Sequence, residues 1–255
     1  MNFIVCANTD IGTTRTNNQD SVLVKVMNTV QGRMVLAVLG DGMGGLQKGE
    51  AASAAVIHAF DQWAMTELPI LCDRELTDLQ IRRSWEKMIY QLDESIKKYG
   101  KKMAVALGTT AVVCLLTEKR FYILNVGDSR VYELTDNIEQ LTKDQTFVNR
   151  EVLLGNMTER QAREDSRRSI LLQCIGASEK VSPAILFGTA KRNAVYMLCS
   201  DGFCHEVTAD EIYGNLKPDI LTDYAKMHQS SLELIEMNKK RGEKDNISVV
   251  LIRTY

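Results

Sequence analysis

Short apolar runs, each closed by a polar or glycine-rich break, dominate the chain. Six read as strands: Ser21 to Val26, Met34 to Leu39, Thr109 to Leu116, Phe121 to Val126, Val195 to Cys199 and Ser248 to Ile252. All are brief and rich in Val, Ile, Leu or aromatics, as pleated, buried segments require. Two stretches switch to a spacing of three and four. Lys48 to Glu67 carries Ala52, Val56, Ala59, Phe60 and Trp63; the segment after Thr77 carries Ile81, Trp85, Met88, Ile89, Leu92, Ile96 and Tyr99. Both predict helices with one core-facing stripe. Thr77 and Gln80 form a capping box, Lys97 and Lys98 suit the C-terminal dipole, and Gly100 predicts the stop. A last helix is predicted over Leu221 to Lys240. Two helices in succession between strands break βαβ alternation, so the pattern points to antiparallel sheet with helices on its outer faces. About Gln145 to Ser182 the chain turns polar, with a second capping box at Thr158 and Gln161, and reads as a surface insertion.

Composition narrows the picture. The chain has 255 residues, three prolines and no Pro/Gly/Ser linker, which predicts one domain over 1–255. A formal net charge of -2 gives no overall attraction to nucleic acid or anionic membrane. Cys6, Cys72, Cys114, Cys174, Cys199 and Cys204 form no CxxC pair, which predicts reduced, buried thiols. Met1 to Asp10 lacks the basic and apolar regions of a signal peptide. The longest apolar stretch, Ala104 to Leu116, is too short to span a bilayer. A cytoplasmic protein without membrane insertion is expected.

The chemistry lies in where the aspartates sit. Asp41 follows the run Met34 to Gly40, Asp128 follows Phe121 to Gly127, and Asp201 follows Val195 to Ser200; Asp20 precedes Ser21 to Val26 and Asp245 precedes Ile247 to Ile252. In an antiparallel sheet the end of one strand lies beside the start of the next, so these acids can gather on one edge. Crowded carboxylates repel unless a cation compensates them. An all-oxygen set with few nearby histidines and no cysteine pair indicates Mg²⁺ or Mn²⁺ rather than zinc. Glycines beside the acids, in Asp41-Gly42-Met43-Gly44-Gly45, Gly127-Asp128 and Asp201-Gly202, allow tight turns and a backbone carbonyl near the ion.

The stretches Arg15-Thr-Asn-Asn-Gln-Asp20, Asp41-Gly-Met-Gly-Gly45, Gly108-Thr-Thr-Ala111, Val126-Gly-Asp-Ser-Arg130, Leu141-Thr-Lys-Asp144, Ser200-Asp-Gly202 and Asp245-Asn-Ile-Ser248 occur in that order. The ordered set resembles the metal-dependent, type 2C serine/threonine protein phosphatases, in their bacterial form. The resemblance implies an α+β fold: a four-layer αββα sandwich of two antiparallel sheets flanked by helix pairs, with a mobile flap at about 145–182. It implies that Asp41 bridges two Mn²⁺ or Mg²⁺ ions, that Asp201 and Asp245 complete the first, and that Asp20 and the Gly42 carbonyl serve the second. Asp128 with Asp201 would hold a possible third ion, and Arg15 would grip the substrate phosphate. The implied reaction is hydrolysis of phosphoserine and phosphothreonine in proteins by a metal-activated water. The substrates that the resemblance implies are serine/threonine kinases of the eukaryotic type and their targets, and a monomer is the default. The sequence departs from many members at Gln19, where they carry Glu, and at Met43, where some carry a proton-donating His; a metal-bound water is the default acid.

Three other readings share these residues. One is a two-metal hydrolase of small phosphate esters or nucleotides. Another is a phosphatase-like binding or sensing module without catalysis. The third is a partner-switching regulator phosphatase. Outside the aspartates, His58 and His228 are read as helix-face residues, His205 as a group able to touch substrate or supply a proton, and Ser129 and Arg130 as supports of the Asp128 loop.

Overall fold

A computed structural model describes residues 1–43 and 48–255 of the chain. Gly44 and Gly45 of the Asp41 motif lie outside the described residues. The chain begins with β1 (Phe3–Asp10), β2 (Asp20–Thr29) and β3 (Gly32–Met43), then the long helices α1 (Gly49–Cys72) and α2 (Asp78–Met103). Strands β4 (Gly108–Thr109), β5 (Ala111–Leu116), β6 (Arg120–Val126), β7 (Arg130–Leu134) and β8 (Ile138–Gln140) follow, then α3 (Phe147–Leu153) and α4 (Glu159–Glu164). The chain closes with β9 (Ala184–Thr189), β10 (Ala194–Cys199), α5 (Asp201–Cys204), α6 (Ala209–Leu216), α7 (Tyr224–Lys240) and β11 (Ile247–Thr254).

The strands form two antiparallel sheets. One runs β1-β11-β10-β7-β8; the other runs β2-β3-β5-β6-β9, with β4 paired to β3. Side-chain alternation sorts each central strand between two cores. On β3, Met34, Leu36 and Val38 face α1 and α2, while Val35, Ala37 and Leu39 face the opposite sheet. On β10, Val195, Met197 and Cys199 pack towards α6 and α7, while Ala194, Tyr196 and Leu198 enter the space between sheets. Burial on both faces explains why these strands read as unbroken apolar runs rather than alternating ones. The resulting layers are α1/α2, sheet, sheet, and α5 to α7, as the sequence pattern and its family resemblance anticipate.

The helix stripes are core. Phe60, Trp63 and Trp85 meet edge to face, with ring centroids 5.7–5.8 Å apart. The Trp63 indole donates to Ser84 Oγ at 2.7 Å, so a buried polar group keeps a partner. The predicted capping boxes at Thr77/Gln80 and Thr158/Gln161 are both present. Gly100, however, does not end α2. The helix continues to Met103 and closes on Ala104 in the left-handed region, φ 53°. Gly100 serves close packing instead: a Cβ there would lie 2.8 Å from the Val105 carbonyl oxygen. The last helix starts at Tyr224, not at Leu221, because Asp223 caps it by accepting from the Lys226 N–H at 2.9 Å. All six cysteines are free thiols. Among the described residues no helix is long and apolar enough to cross a membrane.

Candidate functional site

The register of one hairpin creates the centre of the site. In the β2–β3 ladder Asp20 stands directly opposite Asp41. Cross-strand partners share a face, and like charges there repel. Asp20 is buried, 8% exposed, and neither of its carboxylate oxygens has a hydrogen-bond partner, although the Ser200 and Ser248 hydroxyls lie nearby. Asp41 is half-buried beside it. Its backbone is pinned: the N–H donates to Thr110 Oγ1 at 3.0 Å, and the carbonyl accepts from Thr110 N–H at 2.9 Å and Thr109 Oγ1 at 3.0 Å.

Gly42 is held between three segments. Its N–H donates to the Gln19 carbonyl at 3.1 Å, and it pairs with Thr109. A Cβ at this position would sit 2.3 Å from the Gly49 carbonyl oxygen and 2.6 Å from that of Gln19. Only glycine fits, which is the physical content of the Asp-Gly motif here. Ser53, fully buried on α1, donates to the same Gln19 carbonyl at 2.6 Å and so locks the Asp20 loop to the helix.

The other sheet contributes the remaining acids. Ser200 and Ser248 tie the end of β10 to the start of β11: Ser200 N–H donates to the Ser248 carbonyl, and Ser248 N–H donates to Ser200 Oγ. Asp201 then opens α5, with one buried oxygen, Oδ1, left without a partner. Asp128 occupies the β6–β7 turn and is 8% exposed. Its neighbour Ser129 shares a 2.7 Å hydrogen bond with Thr110, and Arg130 clamps Asp144 with three contacts of 2.7–3.1 Å. Both residues support the loop, as the sequence suggests. Asn246 is a strut the sequence reading assigned no role. It accepts from Gln19 N–H and donates to the carbonyls of Ile11 and Asn17, joining the Asp245 and Asp20 loops.

Electrostatics bind the five acids into one cluster. Burial first, then the charges of Asp20, Asp201, Asp128 and Asp245, hold the Asp41 carboxyl well above the usual carboxylate range. Asp20 is pushed up to about 7, chiefly by burial; the nearby Ser248 and Ser200 hydroxyls oppose the rise, and the charges of Asp201 and Asp245 add to it. Burial and Asp201 likewise raise Asp128. Asp201 is raised by burial, with His205 working the other way. Carboxylates that raise one another in this way form a site short of positive charge. Orphaned buried oxygens on Asp20 and Asp201 in an all-oxygen set fit a hard divalent cation.

Arg15 and Asp245 depart from a simple cage. The guanidinium meets Asp245 through two bonds, Nε to Oδ1 at 2.9 Å and Nη2 to Oδ2 at 2.6 Å. As the side chains stand, no group of three His, Cys, Asp or Glu among the described residues is gathered to hold an ion. The acids share one rim, with Asp245 turned onto the arginine. His205 also differs from expectation. Its Nδ1 faces Glu243 Oε2 at 3.1 Å and its Nε2 faces Asp201 Oδ2 at 3.4 Å, so neither nitrogen is free to serve a substrate. Burial lowers its pKa, but Glu243 and Asp201 outweigh that and push it up to about 9. His58 is exposed on α1, and His228 stacks on Tyr224 in α7.

A cleft of about 710 Å³ opens beside Asp128 and Asp201, between the α3–α4 segment and α6. Arg163 and Arg168 line its outer wall. The polar insertion is therefore the second wall of the acid rim rather than a remote decoration.

Comparison with known proteins agrees with this architecture. The family profile described as protein phosphatase 2C matches residues 13–242, and the chain belongs to that family. It is 30% identical to the serine/threonine protein phosphatase PstP of Mycobacterium tuberculosis over 96% of its own length, but spans only 44% of that protein. The solved serine/threonine phosphatase of S. agalactiae superposes with a TM-score of 0.83 at 26% identity, covering all of both chains. A structure of the PstP catalytic domain in complex with two manganese ions superposes with a TM-score of 0.77 at 28% identity, covering 98% of this chain and 97% of that one.

Proposed function

We propose that the chain is a single-domain, cytoplasmic and monomeric serine/threonine phosphoprotein phosphatase that works with Mn²⁺ or Mg²⁺ and opposes serine/threonine kinases. One observation carries this reading: Asp41 stands opposite Asp20 in the β2–β3 ladder and within charge reach of Asp128, Asp201 and Asp245, two of which line a cleft of about 710 Å³. Asp41, Asp201 and Asp245 would hold one ion, Asp41, Asp20 and the Gly42 carbonyl a second, and Asp128 with Asp201 a third. Bound there, such ions supply Lewis acidity and lower the pKa of the attacking water.

The chain's own residues do the rest. Arg15 is a planar fork matched to two oxygens of a phosphate, and its pairing with Asp245 supports this role. Substrate phosphate and Asp245 compete for the same guanidinium, so phosphate capture frees Asp245 for its ligand role. Met43 has no proton to give and His205 is committed to two carboxylates, so neither is assigned as the acid for the leaving oxygen, and a water at the rim, metal-bound when the ions are present, keeps that role.

The test is turnover of phosphoserine and phosphothreonine peptides against nucleotides and an aryl phosphate, with Mn²⁺ or with a chelator. Peptide turnover that needs Mn²⁺ is expected. No turnover of any ester would leave a binding module, and a preference for nucleotides would leave a small-ester hydrolase. In the same assay Asp128→Asn should lower activity while calorimetry still finds the two principal ions. Arg15→Ala should raise KM for phosphopeptide roughly 10–100-fold, the worth of a lost charge-assisted pair. Its Mn²⁺ affinity should hold or improve, because Asp245 is released. Arg15→Lys should fall between the two. An Arg15→Ala protein with unchanged KM would reduce Arg15 to a partner of Asp245.

A further inference from the structure

Glu243 stands two residues before Asp245 and belongs to none of the motifs above, yet it is among the most heavily bonded side chains near the rim. It is 6% exposed. Its Oε1 accepts from the backbone N–H groups of Lys244 at 2.7 Å and Asp245 at 2.8 Å. Its own N–H donates to the Asn238 carbonyl at the end of α7, and its carbonyl accepts from Thr13 Oγ1 at 2.8 Å, two residues before Arg15. Its remaining oxygen, Oε2, faces His205 Nδ1 at 3.1 Å. The other ring nitrogen of His205 faces Asp201 Oδ2 at 3.4 Å.

These contacts form one connected path: Asp201 to His205, His205 to Glu243, and Glu243 to the backbone of Asp245. The path has a direction. His205 meets Oδ2 of Asp201 in an ion-pair contact at 3.4 Å, and Oδ1 of the same carboxylate is the buried oxygen without a partner. A carboxylate held by one oxygen presents the other in a fixed orientation, which is how outer groups orient metal ligands. At the far end, Glu243 fixes the backbone from which the Asp245 side chain departs. Asp128 and Cys204 are the other titratable groups whose charge reaches the imidazole, and neither is hydrogen-bonded to it.

Resting on the phosphatase reading above, we propose that His205 and Glu243 are positioning residues: a rigid brace that sets the spacing and aim of Asp201 and Asp245, the two carboxylates assigned to the first ion. The brace touches neither substrate nor ion. It acts only through the two aspartates, so its loss should appear in ion affinity and not in substrate affinity.

The experiment is isothermal calorimetry of Mn²⁺ on the full chain, wild type beside His205→Ala, His205→Gln, Glu243→Gln and the double variant His205→Ala/Glu243→Gln. Circular dichroism and the unfolding midpoint in chelator report folding. His205→Ala and Glu243→Gln should each weaken Mn²⁺ binding about 10–100-fold, the usual cost of losing a partner that orients a metal ligand. The double variant should be little worse than either, because both act through one path. His205→Gln, which keeps one hydrogen-bonding group, should recover part of the loss. For the variants kcat should return towards wild type at saturating Mn²⁺, with KM for phosphopeptide unchanged throughout. A folded His205→Ala or His205→Gln that binds Mn²⁺ as tightly as wild type overturns the brace, as do additive losses in the double variant. Wild type that binds Mn²⁺ and turns over phosphopeptide while the variants match it in Mn²⁺ affinity sinks the brace alone. Wild type that binds no Mn²⁺ sinks the phosphatase reading with it.

Discussion

Asp41→Asn is expected to abolish turnover, by about 10³-fold or more, and to weaken calorimetric binding of both principal Mn²⁺ ions together. The reason is placement. Asp41 is the acid whose charge is felt alongside all four of the others, and its backbone is fixed by Thr109 and Thr110 on one side and, through Gly42, by Gln19 on the other. Replacing one oxygen by an amide leaves the shape intact, so the protein should fold. It removes a full negative charge at the point shared by both proposed ion sites, and several kcal/mol of transition-state stabilisation go with the ions. Activity with saturating Mn²⁺ and a phosphopeptide measures the effect. A rate within tenfold of wild type would end the assignment of Asp41 as the bridge.

Asp20→Asn should act in opposite senses on stability and on ion binding. In the folded chain Asp20 holds its proton up to about 7, against an ordinary value of 3.8. Asp41, Asp128 and Asp201 are raised as well. Over this window the folded state binds more protons than the unfolded state. Stability therefore falls as pH rises from about 4 to about 7 in chelator. The contribution is present below the unfolded value and lost as pH climbs through the folded one. Asn at position 20 carries no charge to bury, so the metal-free variant should melt several degrees higher than wild type near neutral pH and show a flatter pH profile. With Mn²⁺ the order should invert, since wild type gains stability through ion binding and the variant gains little. Scanning calorimetry with and without Mn²⁺ across this range reads both effects. A metal-free wild type whose melting temperature climbs between about pH 5 and about pH 7 contradicts the account.

The core was legible because burial leaves a simple trace. Central strands β3, β5, β10 and β11 are apolar on both faces and stand out as runs; α1 and α2 reveal themselves by Trp63, Trp85 and their neighbours at helical spacing. Of the four edge strands only β2 was legible, as Ser21 to Val26. β1 (Phe-Ile-Val-Cys-Ala-Asn-Thr-Asp) and β9 (Ala-Ile-Leu-Phe-Gly-Thr) mix apolar and small polar residues, and β8 is three residues long. Such strands are decided by the neighbour that pairs with them, not by their own composition. Helix α6 escaped because its eight residues carry only two buried positions, Ile212 and Leu216.

At the site, the aspartates could be found from sequence because each stands where an apolar run meets a break. That they would face one rim followed from antiparallel geometry. The direct opposition of Asp20 and Asp41 did not, since register depends on the Thr29–Gly32 turn at the other end of the hairpin. Nor did the Arg15–Asp245 pair, because nothing in a linear sequence says which of several acids an arginine will choose. The supports were hidden for another reason. Ser53, Thr110, Glu243 and Asn246 are ordinary polar residues whose importance comes from burial. One signal was available: Ser53 is a lone hydroxyl within the small apolar run Ala51-Ala52-Ser53-Ala54-Ala55, where a solvated serine has no reason to be.

The hairpin that carries Asp20 opposite Asp41 is closed at one end by a tight turn and ends at the other on two facing acids. Between the Thr29–Gly32 turn and the two acids lie eight residue pairs, and only at the last pair do like charges oppose the pairing. A divalent ion arriving there would act as a clasp, so that the last step of maturation is metal uptake rather than chain folding. A chain without manganese or magnesium would then be folded yet inert, its facing carboxylates waiting for the ion that completes them.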